Sequence, residues 1–238
     1  MAPHLTSLLA RRRERARLRF SAHAVLVFVA MVLLGLPFAL LVLLVRAKSD
    51  WLQTFDHRAA TDLHSFGTDH PGFVGTMRVV SDVGSPGVWW LVIVPVCALL
   101  VRRGARRPAA FLVVTVAGSW LLNRFVKAMV DRARPHLPDS FATAHGASFP
   151  SGHAQAATVA CGAVLVVGWP YLSKRWRVLC VAGAATIVFA VCLSRVALGV
   201  HFVSDVFAAV VLGGAWLLLM TAAFTAWQHE AGRMGTCP

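Results

Sequence analysis

Residues 149–167 read FPSGHAQAATVACGAVLVV, in which a short polar motif, Pro150-Ser151-Gly152-His153, lies directly before a long apolar run. Ser151 is a residue type that favours the N-cap of a helix, whose first turn presents unpaired N–H groups and positive partial charge. Such a helix start binds anions, and Gly152, lacking a side chain, would let an anion approach the backbone. His153 adds a titratable ring beside this predicted anion site. On this motif alone, a plain serine cap followed by an incidental histidine stays open.

The chain as a whole has the composition of an integral membrane protein. Its 238 residues are 58% hydrophobic, and the mean hydropathy is +0.68, which few soluble domains reach. A helix needs about 20 mostly apolar residues to cross the bilayer core, and six apolar segments are candidate spans, with approximate ends: 22–45, 87–101, 109–126, 153–169, 178–193 and 206–227. We expect an all-α integral membrane bundle of about six transmembrane helices over 22–227, without a soluble second domain.

Basic residues are concentrated in short runs beside the predicted spans. The formal charge is +13, which in a soluble protein would suggest a nucleic-acid partner, but arginine runs beside spans set membrane topology instead. The runs are Arg11, Arg12, Arg13, Arg15, Arg17 and Arg19, then Arg102, Arg103, Arg106 and Arg107, then Lys174, Arg175 and Arg177. All three lie on one side of a six-span bundle, so we expect that side, the basic segment 1–21 and the tail 228–238 to be cytoplasmic. The first apolar run is expected to be a retained span rather than a cleaved signal.

Residue types that bind metals are present without a ligand pattern. The predicted extracytoplasmic connection 47–86 holds five aspartates and three histidines: Asp50, Asp56, Asp62, Asp69, Asp82, His57, His64 and His70. A metal cluster is one interpretation, but no ligand spacing repeats, so a solvated loop with short helices on the membrane surface is favoured. Of the five cysteines, Cys97, Cys161, Cys180 and Cys192 lie inside apolar runs and Cys237 near the end. They predict small buried side chains, with neither a disulfide nor a cofactor site.

Two further motifs lie in the other connections predicted outside, 127–152 and 194–205. In KAMVDRARP (127–135), Lys127 and Arg134 are about two helical turns apart and can share a face, and Pro135 is expected to end the helix. Alone, these are also ordinary interfacial cations that snorkel to water. In SRVALGVHFVSD (194–205), His201 and Asp205 are four residues apart, one above the other if the next helix has begun. A buried Arg195–Asp pair with a bystander histidine is the alternative there.

The membrane topology is predicted from the arginine runs alone, without these motifs. It places all three motifs at the same membrane face. Charged groups at such depth are costly and mark functional sites. Lys127, Arg134 and Arg195 would form a cationic pocket, and Ser151 with the Gly152 N–H would add neutral donors. This combination suits a tetrahedral dianion. An imidazole backed by a carboxylate is the arrangement that orients histidine in hydrolytic triads, and Gly199 would permit the tight turn before it.

The three motifs resemble the signature of the type-2 phosphatidic acid phosphatase superfamily. The sequence matches every fixed position: Lys127, Arg134 and Pro135; Pro150, Ser151, Gly152 and His153; Ser194, Arg195, His201 and Asp205. The order, spacing and six-span core also agree, and the resemblance covers about residues 22–227. Phe202 and Val203 follow the last histidine where many relatives have an aromatic residue and proline, but these are variable positions.

The resemblance implies a metal-independent lipid phosphate phosphatase in the cell membrane. His201 would attack phosphorus and become a phosphohistidine, Asp205 would orient it, and His153 would protonate the leaving oxygen and then activate water. Lys127, Arg134, Arg195, Ser151 and Gly152 would bind the phosphoryl group, without a cofactor. The substrate would be phosphatidic acid, phosphatidylglycerol phosphate, an isoprenoid pyrophosphate such as undecaprenyl pyrophosphate, or another membrane lipid phosphate. Phosphotransfer to an alcohol stays open, and a non-catalytic lipid binder or transporter is weaker because no catalytic position is missing.

Overall fold

The regular structure is helical throughout the part of the chain that the computed structural model describes, residues 25, 27–138 and 140–234, with side chains up to 226. The helices are α1 (Val27–Arg46), α2 (Asp50–Asp69), α3 (Pro71–Val83), α4 (Pro86–Arg102), α5 (Arg106–Val130), α6 (Gly152–Gly168), α7 (Lys174–Ala197) and α8 (Val203–Met234). A 3₁₀ turn, Trp169–Tyr171, extends α6. The basic segment 1–21 and Cys237 lie outside the described residues.

The described helices include five or six candidate membrane spans, close to the six that the apolar runs predict. Five described helices are long and apolar enough, namely α1, α5, α7, α8 and α6 with its 3₁₀ turn, and α3 with α4 forms a sixth crossing if this pair, bent by 43°, counts as one span. Large apolar side chains such as Val178 and Phe189 are exposed on the outside of α7, where lipid tails would contact them. The chain is therefore a multi-pass, all-helical membrane protein. Helix α8 continues to Met234, past residue 227 where the sixth span was predicted to end.

Helix α6 lies at the centre of the bundle, in contact with α4, α5, α7 and α8. Ala154, Ala157, Ala160 and Ala163 are fully buried, and their spacing of three residues puts them along one side of the helix. Small side chains let neighbouring helix backbones approach closely without a hydrophobic driving force, which is the usual packing of membrane helices. The apolar run after His153 therefore fixes the first turn of α6 inside the bundle.

Two helices of the 47–86 connection, α2 and α3, occupy the place where short surface helices were predicted. Trp51, Phe55 and Phe66 of α2 are exposed, and their spacing of four and eleven residues aligns them in one stripe along the helix. Aromatic side chains in such a stripe are typical of the membrane–water interface. The neighbouring face of α2 is buried against the bundle and includes Asp56, so this helix contacts both the interface and the protein interior.

We expect Gly118→Ala to destabilise the bundle where α5 meets α8. A Cβ at Gly118 would lie 2.5 Å from the Trp216 ring, which is held in place because its Nε1–H donates to the Thr115 carbonyl at 2.7 Å. Overpacking of this kind costs about 1–3 kcal/mol, so the melting temperature of the detergent-solubilised protein should fall. Gly183→Ala in α7, where a Cβ meets nothing within 4 Å, is the matched control. Equal melting temperatures for the two variants would contradict the close approach.

Candidate active site

A cavity of about 430 Å³ opens at the end of the bundle where the three sequence motifs meet. Six of the predicted site residues line it: Lys127, Arg134, Gly152, His153, Arg195 and His201. The other two, Ser151 and Asp205, are fully buried behind its wall, and the Ser151 N–H donates to the Asp205 carbonyl at 3.1 Å. The structure thus brings all eight residues to one place.

The His201 imidazole is buried between Asp205 and Arg134. Its Nδ1 lies 3.4 Å from Asp205 Oδ2, close enough for ion-pair attraction but longer than a well-formed hydrogen bond. Its Nε2 lies 3.3 Å from Arg134 Nη1, and because a guanidinium can only donate, Nε2 is the unprotonated nitrogen. Burial lowers the pKa of the His201 ring to about 4, so the ring is neutral at neutral pH. A neutral imidazole with a lone pair directed toward cations is suited to nucleophilic attack on a bound anion.

His201 precedes helix α8 instead of lying on it. The spacing would put His201 and Asp205 one above the other if the helix had already begun at His201, but α8 begins at Val203. The pair still meets because the chain turns tightly at Gly199, as predicted, where the φ of +72° lies in the left-handed region that glycine adopts readily. The turn is closed by the His201 N–H, which donates to the Arg195 carbonyl at 3.2 Å.

The Asp205 carboxylate has a hydrogen-bond donor for each oxygen. Oδ2, which faces His201, also accepts from the Phe202 N–H at 2.9 Å. Oδ1 accepts from Arg132 Nη1 at 2.7 Å. Buried charges need such partners to be stable, and these two bonds fix the carboxylate plane that faces the imidazole.

Lys127 and Arg134 meet at one backbone carbonyl. Lys127 Nζ donates to the Ala147 oxygen at 2.5 Å, and Arg134 Nη2 donates to the same oxygen at 3.2 Å. Arg134 also donates to the carbonyls of Gly146 and Val200, at 2.9 and 2.8 Å. The backbone of the loop after α5 therefore holds both cations at the cavity.

Lys127 and Arg134 do not share a helical face, which their spacing of about two turns would have allowed. Helix α5 ends at Val130, and Asp131 adopts the left-handed conformation with φ 43° and ψ 49°. The chain therefore leaves the helix four residues before Arg134, and it is the loop, with its carbonyls, that returns Arg134 to the level of Lys127.

Ser151 Oγ and Arg195 Nε are two of the three buried polar atoms of the predicted site residues that have no hydrogen-bond partner among the described residues; the third, His201 Nδ1, faces Asp205 Oδ2 at 3.4 Å. Ser151 occupies the N-cap position of α6, as predicted, but its side chain makes no capping bond. Arg195 is fixed instead through Nη1, which donates to Ser81 Oγ. Unpaired buried donors are costly, and an anion in the cavity would offer them acceptors. A Cβ at Gly152 would only touch Asn123 Oδ1, at 3.6 Å, so packing alone does not require that glycine.

The cavity continues past the cations along α4, α5 and α6. Its further wall carries the indoles of Trp89, Trp90 and Trp120. Polar side chains also line it, and they bond to one another: Asn123 Nδ2 donates to Gln155 Oε1 at 2.8 Å, and Gln155 Nε2 donates to Ser119 Oγ at 2.9 Å. Sequence reasoning missed these residues, although polar side chains inside apolar runs are themselves a sign of function.

Sequence reasoning also missed Asp56 and Arg132, which join the site through Asp205. Asp56 was assigned to a solvated loop, yet it is fully buried and its Oδ2 accepts from Arg132 Nη2 at 2.7 Å. Among the described residues no group of three or more His, Cys, Asp or Glu side chains could hold a metal ion. The histidines of the 47–86 connection lie against aromatic rings instead: His57 on Phe202, His64 on Phe141 and His70 on Phe66.

Comparison with known proteins identifies the family. Residues 108–229, about half of the chain, match the model of the PAP2 superfamily. Decaprenylphosphoryl-5-phosphoribose phosphatase of Mycobacterium tuberculosis (strain H37Rv) is 31% identical over 151 residues, which are 61% of this chain and 77% of that protein. Phosphatidylglycerophosphatase B of Bacillus subtilis is 39% identical over 98 residues, 39% of this chain and 46% of that protein.

A solved structure has the same arrangement of helices. It is a transmembrane PAP2-type phosphatidylglycerolphosphate phosphatase from Bacillus subtilis, with a TM-score of 0.72 and 27% identity over 80% of this chain and 94% of that chain. The family match contains all three motifs, 127–135, 150–153 and 194–205, in full. The chain belongs to the PAP2 superfamily.

Proposed function

We propose that this PAP2 protein is a lipid phosphate phosphatase that hydrolyses a phosphomonoester, or a pyrophosphate, on a membrane lipid through a phosphohistidine at His201. The observation that carries this proposal is the His201 imidazole, which is buried, backed by the Asp205 carboxylate and directed through Nε2 toward the cation-lined cavity. The matched phosphatases of M. tuberculosis and B. subtilis are named for different lipid alcohols. What their substrates share is the phosphate ester, and the cation cluster is suited to that group.

In the first step, His201 Nε2 attacks phosphorus in line. The N–P bond forms as the bond from phosphorus to the lipid oxygen breaks, and His153 gives its proton to that oxygen. Lys127, Arg134 and Arg195 hold the phosphoryl oxygens, with Ser151 Oγ and the Gly152 N–H as further donors. Preorganised donors of this kind are usually the largest catalytic contribution, and three fixed cations supply the clamp without a metal ion.

In the second step, neutral His153 accepts a proton from water while the water oxygen attacks phosphorus. The N–P bond breaks, inorganic phosphate forms and His201 returns to its neutral state. Between the two steps His201 is positively charged, and the Asp205 carboxylate stabilises that charge. A bound phosphate dianion beside His153 would likewise favour its protonated form before the first step.

The lipid leaving group would lie in the part of the cavity between the tryptophans of α4 and α5. This part is lined by Trp89, Trp90 and Trp120, and it also contains the hydrogen-bonded Asn123 and Gln155. Apolar walls with a few fixed polar groups are the usual environment of a bound small molecule. The phosphate would therefore sit at the membrane surface while the lipid tail remains in the bilayer.

We expect purified protein in mixed micelles to release inorganic phosphate from lipid phosphates in the presence of EDTA. The panel should include phosphatidic acid, phosphatidylglycerol phosphate, an isoprenoid pyrophosphate and a phosphorylated polyprenyl-phosphosugar, each measured with and without an alcohol acceptor. Phosphate release that needs an added divalent ion would contradict the metal-free clamp. Transfer of phosphate to the alcohol in place of release would identify a phosphotransferase.

The two histidines should differ in trapping experiments with labelled phosphate. His201→Ala should form no adduct, because it lacks the attacking nitrogen. His153→Ala should form an adduct on an aryl phosphate, whose leaving group needs little protonation, and the adduct should persist because water activation is impaired. It should be labile in acid and stable in alkali, as a phosphohistidine is. An adduct in His201→Ala that is absent from His153→Ala would reverse the two roles.

The active site is proposed to face away from the cytoplasm, with both termini inside. The arginine runs between spans support this orientation, and the loop that holds Arg134 lies at the opposite end of α5 from Arg106. With the native cysteines replaced, a single cysteine at Pro138 should react with an impermeant reagent on intact cells, whereas one at Lys174 should not. The opposite labelling pattern would invert the topology and the substrate pool.

A further inference from the structure

The carboxylate behind His201 belongs to a larger buried network. Arg132 Nη1 donates to Asp205 Oδ1, and Nη2 of the same guanidinium donates to Asp56 Oδ2, both at 2.7 Å. Asp56 comes from α2, more than seventy residues earlier in the chain. Both carboxylates are fully buried, and the Arg132 side chain is 12% exposed.

Ser204 completes the connection between Arg132 and Asp56. Its hydroxyl accepts from Arg132 Nη1 at 2.7 Å and donates to Asp56 Oδ2, and its N–H donates to Asp56 Oδ1 at 3.0 Å. The Arg132 guanidinium also lies 4.3 Å from the centre of the Phe202 ring. Every polar atom of the two carboxylates thus has a donor, and the guanidinium has one orientation in which it reaches both.

The charges in this network do not cancel. A guanidinium paired with Asp205 alone would neutralise the carboxylate that His201 depends on. Because Asp56 binds the other side of the guanidinium, two negative charges flank one positive charge and the trio keeps a net charge of −1. That charge lies on the Nδ1 side of His201, opposite the cations of the cavity, where it favours positive charge on the imidazole.

We propose that Asp56 and Arg132 are positioning residues for the reaction of His201. Arg132 fixes the plane of the Asp205 carboxylate, and Asp56 preserves the negative charge that stabilises the phosphorylated imidazole. The inference rests on the phosphohistidine mechanism proposed above. Neither residue lines the cavity that would hold the phosphate, so both act through Asp205.

The test compares Asp56→Asn and Arg132→Gln with Asp62→Asn, an exposed aspartate of the same helix. The first two variants should lower kcat, and the rate of adduct formation, by about 10- to 100-fold, by analogy with the loss that follows removal of the hydrogen-bond partners behind metal-bound histidines. Their KM should stay within about twofold of wild type, because neither side chain contacts the substrate. Asp62→Asn should match wild type in both constants.

A second readout separates positioning from mere stabilisation. Diethyl pyrocarbonate modifies neutral imidazole, so the pH dependence of His201 modification, followed by mass spectrometry without substrate, reports the pKa of His201. Asp56→Asn removes a negative charge and should lower that pKa, whereas Arg132→Gln removes a positive charge and should raise it. The other charged or titratable groups that interact with His201 are unchanged in both variants: Arg134 from the loop, His153 from α6, Arg195 from α7 and Asp205 from α8.

Melting temperatures show whether each variant is folded. If Asp56→Asn is unfolded, Arg132→Lys takes its place. It keeps the charge, but one ammonium lacks the two-pronged geometry that bridges both carboxylates, so kcat should still fall about tenfold or more.

Wild-type kcat in a folded Asp56→Asn or Arg132→Lys protein, or pKa shifts of the same sign in Asp56→Asn and Arg132→Gln, would overturn the proposal. An adduct that forms in wild type at a rate unaffected by these variants would overturn the inference but leave the phosphohistidine mechanism standing. A wild-type protein that turns over without any adduct would overturn both.

Discussion

The buried carboxylate of Asp205 is the point at which the separate segments of this site are joined. Its two oxygens accept bonds from the loop after α5 and from the turn before α8, and its backbone carbonyl accepts the N–H at the start of α6. Burying a carboxylate costs free energy because the charge loses its water, and only the full set of donors compensates for that cost. The positions of His201, Arg134 and His153 relative to one another therefore depend on one buried charge and its partners.

The helical fold and the members of the site could largely be predicted from the sequence because both follow from local patterns. Long apolar runs specify membrane helices whatever their neighbours are. The eight site residues belong to three motifs with fixed spacing, and arginine runs outside these motifs predicted that they share one membrane face. These patterns are short-range, so one sequence is enough to read them.

The local geometry of the site could not be predicted in the same way. Arg134 reaches the cavity from a loop, the Ser151 hydroxyl makes no capping bond, and His201 precedes its helix. Tertiary contacts decide these positions, and sequence spacing does not. Asp56 is the clearest case. On α2 it is one acidic residue among several, and only the approach of Arg132, distant along the chain, distinguishes it from the exposed Asp62.

The shared carbonyl of Ala147 has a consequence for turnover. Lys127 and Arg134 both donate to it, so a phosphoryl group that binds these two cations would have to replace a backbone acceptor. When an anion binds, these cations exchange the backbone acceptor for phosphoryl oxygens. The free energy gained on binding is therefore smaller than three cations without hydrogen-bond partners would give. The cost of replacing the loop acceptor is the same for substrate and product, but free phosphate has no lipid tail to offset it, so the product would leave into water more readily than the lipid substrate.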